Sequence, residues 1–326
     1  MAESIDSRVR DELVHRRSKL QSALTSTPED PKIVRLLSEV DAALARVNEG
    51  TYGLCESCRE PIEQERLMAD PLVRFCLDHM SPAQQRALEL DLELASQIQT
   101  ALLPQRSLRD AGWETEYHYE GAGPVSGDYC DLLSHGGDLY FAIGDVTGKG
   151  VAASMLMAHL HASFRTLLSL ELPLDHILER ASRMFCQSTL STYFATLVCG
   201  KATSTGEVEV CNAGHHPPLL IQRNTIEKIE ATGLPLGMFC DERFSVSKLR
   251  LAPGDILLLY TDGLSEAQNE SGAEYGTERL CRIVREHSSL PPEELIRVCV
   301  RDLEAFRSGV PRPDDVTVMA IKRSGC

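Results

Sequence analysis

Four aspartates stand where an apolar run meets glycine. Asp145 closes LYFAIGD and leads into VTGKG, and Asp262 follows DILLLYT and precedes Gly263. Asp128 sits in SGDYCD after a glycine-rich approach, and Asp314, with Asp315 beside it, precedes VTVMAI. A strand fixes the position of a carboxylate at its end, and glycine lets backbone or solvent come close. Carboxylates from such distant segments repel one another when they converge at one end of a sheet. Hard, oxygen-preferring cations, Mg²⁺ or Mn²⁺, relieve that repulsion. Each acid alone says little, because aspartate beside glycine is ordinarily a turn residue. The recurrence carries the argument.

A second group has the spacing of a different metal. Cys55 and Cys58 are separated by two residues, and Cys76 and His79 repeat that spacing after a gap of 17. Two tight pairs of thiolate or imidazole ligands suit tetrahedral zinc. A segment this short cannot hold a core by itself, so zinc would supply folding energy.

Other chemistries fail on their own templates. GDVTGKG imitates a phosphate loop, but only three residues separate Gly144 from Gly148, and Gly150 follows the lysine in place of Ser or Thr. Lys149 then reads as a solvated loop residue. There is no HExxH and no GxSxG, so zinc-protease and nucleophile-elbow chemistry have no support.

The elements that must position these residues can be read from periodicity and punctuation. The chain has 326 residues, room for two or three domains, with 43% hydrophobic and 25% charged residues. Residues 1–24 and the stripe Ile33, Leu36, Leu37, Val40, Leu44, Val47 predict two helices forming a hairpin, the second capped by Thr27 with Pro28, Glu29 and Asp30 in its first turn. Asn48-Glu49-Gly50 stops that helix. A helix from Ser81-Pro82 to Pro104 carries Leu88, Leu90, Leu92, Leu94, Ala95, Ile98, Ala101, Leu102 and Leu103 over more than half its circumference. That arc is too wide for a simple coiled-coil seam. It predicts packing on the downstream domain on one side and a homodimer contact through residues 82–103 on the other; the alternative is a helix buried within one subunit. Strands are expected at 114–119, 138–143, 193–201, 207–211, 244–251, 255–260 and 316–322, and helices at about 151–169, 173–188, 276–287 and 292–307. Mostly hairpin-connected strands with interspersed helices predict an α+β fold of antiparallel sheets covered by helices.

The net charge of −15, acidic on both sides of residue 80, disfavours sequence-blind nucleic-acid binding. No apolar run approaches the roughly 20 residues of a membrane span, and no signal peptide is apparent. A cytoplasmic protein with most of its 11 cysteines reduced, and no disulfide framework, is the expectation.

Residues 33–80 resemble the DksA/TraR-type zinc finger, through Gly50, Tyr52-Gly53, Cys55-x2-Cys58, Pro61-Ile62, Arg66-Leu67, Pro71 and Cys76 after a helical hairpin. The family's fourth ligand is usually Cys; here it is His79, also a competent zinc ligand. Family members can insert the hairpin into the RNA polymerase secondary channel. Here the hairpin is short, and Glu29 and Asp30 near its tip lack the family's spaced acidic pattern. A sensory or structural role is preferred to a polymerase contact.

Residues 84–323 resemble the SpoIIE/RsbU branch of PPM-type serine/threonine phosphatases. The stretches SGDYCD, GDVTGKGVAASMLM, YFATLV, CNAGHHPPLL, GLPLGM, LAPGDILLLYTDGLSEAQN, YGTERL and PDDVTVMAIK occur in the family's order, and ELDLELASQIQTALLP is similar to its switch helix. The resemblance implies two stacked antiparallel sheets flanked by helices and two divalent cations, Mn²⁺ or Mg²⁺. It implies that Asp145 bridges both cations, that the Val146 carbonyl binds one, that Asp262 and Asp314 hold the other, and that Asp128 binds metal or orients water. The first acid of DDVT is the ligand, so Asp315 is expected to support the turn. Direct attack of water on a phosphoserine or phosphothreonine follows, with no protein nucleophile. His215 and His216 in NAGHHPP have the chemistry of general acids, but the mechanism needs none, and His215 is expected to be structural or at the rim. Some family members capture phosphate with an arginine near the first strand; residues 113–127 contain none, which leaves that role unassigned.

The resulting organisation is a helical hairpin (1–49), a zinc finger (50–80), a switch helix (81–104) and a phosphatase domain (105–326). The substrate implied by resemblance is a phosphorylated anti-sigma-factor antagonist or similar STAS-type protein. The competing reading is a non-catalytic zinc-finger protein acting on the transcription machinery.

Overall fold

The computed structural model describes residues 2–26, 30–170, 172–190, 192–223 and 225–325. Thr27, Pro28 and Glu29, expected at the start of the second helix, lie outside the described residues. The chain divides into two compact units, one ending at Leu90 and the other beginning at Asp91.

In the first unit, α1 (Ala2–Ser26) and α2 (Pro31–Asn48) form a hairpin. Among the described residues, Leu13, Val40 and Ala43 are buried in it, with Val9, Leu20, Leu44 and Val47 packed around them. The start of α2 differs from expectation. Asp30 is its N-cap, accepting from the Lys32 N–H at 2.9 Å, and Pro31 takes the first helical position. Proline there gives up an N–H that has no partner anyway. The finger follows, with a bridge between Leu54 and Pro61 and the short α3 (Gln64–Ala69). Next, α4 (Pro82–Leu102) runs on into the second unit.

The second unit continues with β1 (Ser107–Asp110), β2 (Trp113–Glu120), β3 (Asp128–His135), β4 (Asp138–Val146), α5 (Gly150–Leu168), α6 (Leu174–Ser188), β5 (Ala195–Ala202), β6 (Glu207–Ala213), β7 (Leu219–Gln222), β8 (Thr225–Lys228) and β9 (Ser247–Arg250). It ends with β10 (Ile256–Tyr260), α7 (Asp262–Ser265), α8 (Thr277–Glu286), α9 (Pro292–Arg307) and β11 (Val316–Arg323). One sheet has the order β1-β2-β11-β10-β7-β8 and the other β3-β4-β5-β6-β9. Neighbouring strands are antiparallel throughout.

The apolar runs explain the layering. Strand side chains alternate between faces. In β10, Leu257 and Leu259 enter the core between the sheets, while Ile256, Leu258 and Tyr260 pack with Leu280, Leu295 and Leu303 of α8 and α9. In β4, Leu139, Phe141 and Ile143 face the same inter-sheet core, and Ala142 and Val146 meet Met157, Phe164 and Leu178 of α5 and α6. Both faces are buried, so these strands read as continuous apolar runs. The four layers are helix, sheet, sheet, helix, the expected α+β sandwich.

Several expectations need correction. The segment at 128–135 is a strand missing from the expected set, because its two aspartates interrupt the apolar pattern. Asp131 is neutralised by Arg165 of α5 through two bonds of 2.6 and 2.7 Å, so the acid can sit in a buried strand. Strands β1, β7 and β8 are short additions, and the strand expected at 244–251 is only Ser247–Arg250 because Phe244 turns into the core beside α6. Cys186 of α6 and Cys240 form a disulfide across 54 residues, a pairing that nothing in their sequence context suggests.

Candidate active site

Asp128 and Asp145 face each other directly at one end of the β3–β4 ladder. Asp262 leaves the end of β10 as the first residue of α7, and Asp314 precedes β11, the neighbour of β10. The two sheets are joined at this end by hydrogen bonds. The Asp128 Oδ2 accepts from Thr261 Oγ1 at 3.0 Å and from Thr317 Oγ1, and the Thr317 N–H donates to Thr261 Oγ1 at 2.9 Å. Thus Asp128, from one sheet, is held by threonines that flank β10 and open β11 in the other.

Asp315 supports the loop before Asp128. Its carboxylate accepts from the Ala122 N–H at 2.7 Å and the Gly127 N–H at 2.8 Å. Gly127 O in turn accepts from the Val146 N–H at 3.3 Å. Gly263 is required by close approach: a Cβ there would stand 1.9 Å from the Asp315 carbonyl oxygen.

The acids act strongly on one another. Burial, then Asp262, Asp314 and Asp315, push the Asp145 carboxyl up to about 7. Burial and then Asp314 raise Asp262. Asp128 is pushed well above the usual carboxylate range by burial and Asp145, against the hydrogen bonds from Thr317 and Thr261. Among the described residues, the cation bonded into the group is Lys149, whose Nζ donates to Asp314 Oδ2 at 3.0 Å and to the Pro313 carbonyl at 2.6 Å. An all-oxygen donor set with surplus negative charge, already drawing in an ammonium, fits Mg²⁺ or Mn²⁺.

The paired histidines separate by role. His215 is buried, with Nε2 3.1 Å from the Tyr260 carbonyl and Nδ1 2.8 Å from Thr196 Oγ1. A carbonyl only accepts, so Nε2 carries the hydrogen and Nδ1 accepts from the threonine. Burial and His216 lower its pKa to about 3, so it stays neutral and holds β5 against the end of β10. His216 instead groups with Asp262 and Glu266, their ligand atoms all within 4.8 Å of one another. Glu266 was not anticipated at the site, and His216 had no assigned place in it. The only local signal was Asp262-x3-Glu266, which α7 turns into one helical step, with the Glu266 N–H donating to Asp262 O at 2.7 Å.

The finger brings its four candidate ligands together. The ligand atoms of Cys55, Cys58, Cys76 and His79 all lie within 4.8 Å of one another. The Cys58 and Cys76 sulfurs are 3.8 Å apart. A tetrahedral ion with zinc–sulfur bonds of about 2.3 Å sets its sulfurs about 3.8 Å apart. His79 offers Nδ1, 3.2 Å from Cys76 Sγ. Burial pushes the Cys55 thiol up, but hydrogen bonds from the backbone of Cys58, Cys76 and Ser57 prevail and bring it to about 6. The two turns are tied by Glu56, whose N–H donates to Arg74 O at 3.0 Å and whose carboxylate takes Arg74 Nε at 2.7 Å. Among the described residues, the buried cluster here is Cys55, Ile62 and Cys76, two of them candidate ligands. A buried apolar side chain such as Ile62 contributes about 1.5–3 kcal/mol, far below the about 10–16 kcal/mol that a bound zinc would add.

Residues 135–324, more than half of the chain, match the family described as stage II sporulation protein E (SpoIIE). The chain belongs to the SpoIIE family. Asp145, Asp262 and Asp314 fall inside the matched region, and Asp128 lies just before it. Residues 50–78 match the prokaryotic dksA/traR C4-type zinc finger. His79 follows that match directly, and the fourth cysteine of a C4 site is absent there.

Protein IcfG of Synechocystis sp. is 29% identical over 266 residues, covering 72% of this chain and 42% of IcfG. Phosphoserine phosphatase RsbU of Bacillus subtilis is 24% identical over 244 residues, covering 73% of this chain and 72% of RsbU. The chain thus spans less than half the length of IcfG. Among solved structures, the SiaA-PP2C domain of Pseudomonas aeruginosa superposes with a TM-score of 0.66 at 21% identity, covering 74% of this chain and 99% of that domain. That likeness establishes the shared fold.

In this SpoIIE-family domain, α4 reaches the acid site through one side chain. Gln99 is buried; its Nε2 donates to Ser126 O at 2.6 Å and its Oε1 accepts from the Ser126 N–H at 2.9 Å. Ser126 Oγ accepts from the Asp128 N–H at 3.1 Å. The wide apolar arc of α4 did not single out this residue, and Leu90, Leu94 and Ile98 on it are exposed.

Proposed function

We propose that the chain is a metal-dependent protein serine/threonine phosphatase. The observation that carries this reading is the cluster of Asp145, Asp262 and Asp314 at one end of the sheets, where burial and acidic neighbours raise Asp145 and Asp262 and Lys149 is drawn onto Asp314. Membership of the SpoIIE family and similarity to a phosphoserine phosphatase support it. Asp145, the Val146 carbonyl, Asp262 and Asp314 would hold two Mn²⁺ or Mg²⁺, with Asp128 binding metal or orienting water. Such cations supply activated water and offset charge on the phosphoryl oxygens.

The chain's own residues do the positioning. Asp128 is locked by Thr261 and Thr317, so its carboxylate cannot swing. Asp315 fixes the loop that presents Asp128. His215, neutral with both nitrogens engaged, does not move a proton to the leaving serine or threonine oxygen. Cys130, two residues after Asp128 in β3, is buried, with its thiol pushed well up by burial and Asp131, so it is no nucleophile. Water is left as the attacking group.

Residues 1–49, 50–80, 81–104 and 105–326 form hairpin, finger, switch helix and catalytic domain in this reading. Cys55, Cys58, Cys76 and His79 bind one Zn²⁺. The substrate is a phosphoprotein of the partner-switching kind, a STAS-type anti-sigma-factor antagonist. Leu90, Leu94 and Ile98, exposed at every fourth residue of α4, support a homodimer contact. No helix among the described residues is long and apolar enough to cross a membrane. The test is phosphate release from a phosphoserine peptide with Mn²⁺ or Mg²⁺, alongside elemental analysis. One zinc per chain and cation-dependent release are expected. Cation-independent or absent release would remove the enzymatic reading.

A further inference from the structure

Lys149 breaks the local rules of the element it starts. It occupies the N-cap of α5 with no side-chain cap bond. That position favours Ser, Thr, Asp or Asn, whose oxygens accept the helix's free N–H groups. A positive charge also opposes the helix dipole there. Gly148 and Gly150 on either side have φ of +100° and +72°, so the turn is shaped by glycine and makes no demand for lysine. A residue that fits its helix this badly is held by something else.

What holds it lies 164 and 165 residues further along the chain. The ammonium donates to Pro313 O at 2.6 Å and Asp314 Oδ2 at 3.0 Å. Lys149 therefore ties the start of α5 to one of the acids assigned to the cations, in the segment before β11. The pair is exposed, 62% at Lys149 and 40% at Asp314, as expected of a solvated lysine, so what distinguishes it is its partner and not its strength.

We propose that the Lys149 ammonium is a built-in counter-ion of the cation site: it holds Asp314 until a divalent cation displaces it, and so weakens binding of that cation. This rests on the two-cation reading above. A lysine suits the role because its charge sits on a flexible stem and can withdraw without moving the backbone. The consequence is an enzyme whose acid cluster is held together before loading, and whose activity tracks cation concentration over a higher range than the acids alone would set.

The test uses the full chain, stripped with EDTA and restored in zinc, titrated calorimetrically with Mn²⁺. Lys149→Met removes the charge at similar length, Lys149→Arg keeps it, and Asp145→Asn identifies the site. Lys149→Met is expected to tighten Mn²⁺ binding on the order of tenfold, the scale of one unit charge acting near a protein surface. Lys149→Arg should stay near wild type. The cation-free melting temperature should fall in Lys149→Met and hold in Lys149→Arg. Unchanged or weaker Mn²⁺ binding in Lys149→Met would overturn the proposal and leave the phosphatase reading standing, provided Asp145→Asn abolishes wild-type binding. A wild-type chain that binds no Mn²⁺ would overturn both.

Discussion

Asp145 shows most plainly how an acid in the proposed cation site lowers stability. Its carboxyl lies at about 7 against an ordinary 3.8, through burial and then its acidic neighbours. The folded state therefore keeps a proton above about pH 4, where the unfolded chain has lost it. Stability from this group is complete below the unfolded value and is lost as pH rises toward about 7. Without cations, Asp145→Asn should gain stability over wild type across that window, by up to about 1.4 kcal/mol per pH unit. Urea unfolding of both proteins in EDTA at several pH values checks this; a constant difference would contradict it. At this scale the sequence was informative where a residue's signal is local. Asp145 and Asp262 end apolar strands, and Asp314 and Asp315 separate because one of them is needed by the backbone of residues 122 and 127. His216 and Glu266 were not legible together, since about 50 residues separate them and only the fold brings them to Asp262.

Among the elements, α4 carries the most specific expectation. Gln99 satisfies both backbone groups of Ser126, one residue from Gly127 and two from Asp128. Gln99→Leu leaves a buried N–H and C=O without partners, which costs about 1–3 kcal/mol apiece. The variant should unfold at lower urea and need more Mn²⁺ for half-maximal activity, although no acid has changed. Unaltered stability and Mn²⁺ dependence would show that α4 does not govern the loop. The apolar arc made α4 legible as a helix but hid which side was buried, because the decisive contact is polar. In the same way β3 was hidden by Asp131, whose partner Arg165 lies 34 residues away on α5. Strands β4, β10 and β11, buried on both faces, were legible from their unbroken apolar runs.

Across the whole molecule, the finger's four candidate ligands followed from their spacing and the stacking of two sheets from resemblance to a family, while the break between compact units at Leu90 falls inside a continuous helix that no sequence signal divides. Zinc is expected to be the main support of the finger. Stripping it with a chelator that spares Mn²⁺ should unfold residues 50–79, seen as faster amide exchange there, and should change phosphatase activity or oligomeric state. If both are unchanged, the finger does not regulate the enzyme. The most direct test of the central claim is the rate of phosphate release from a phosphoserine peptide in Mn²⁺ by wild type, Asp145→Asn and Asp262→Asn. Losing a cation ligand removes several kcal/mol of transition-state stabilisation, so each variant should be slower by about a thousandfold. Equal rates in wild type and both variants would contradict the account.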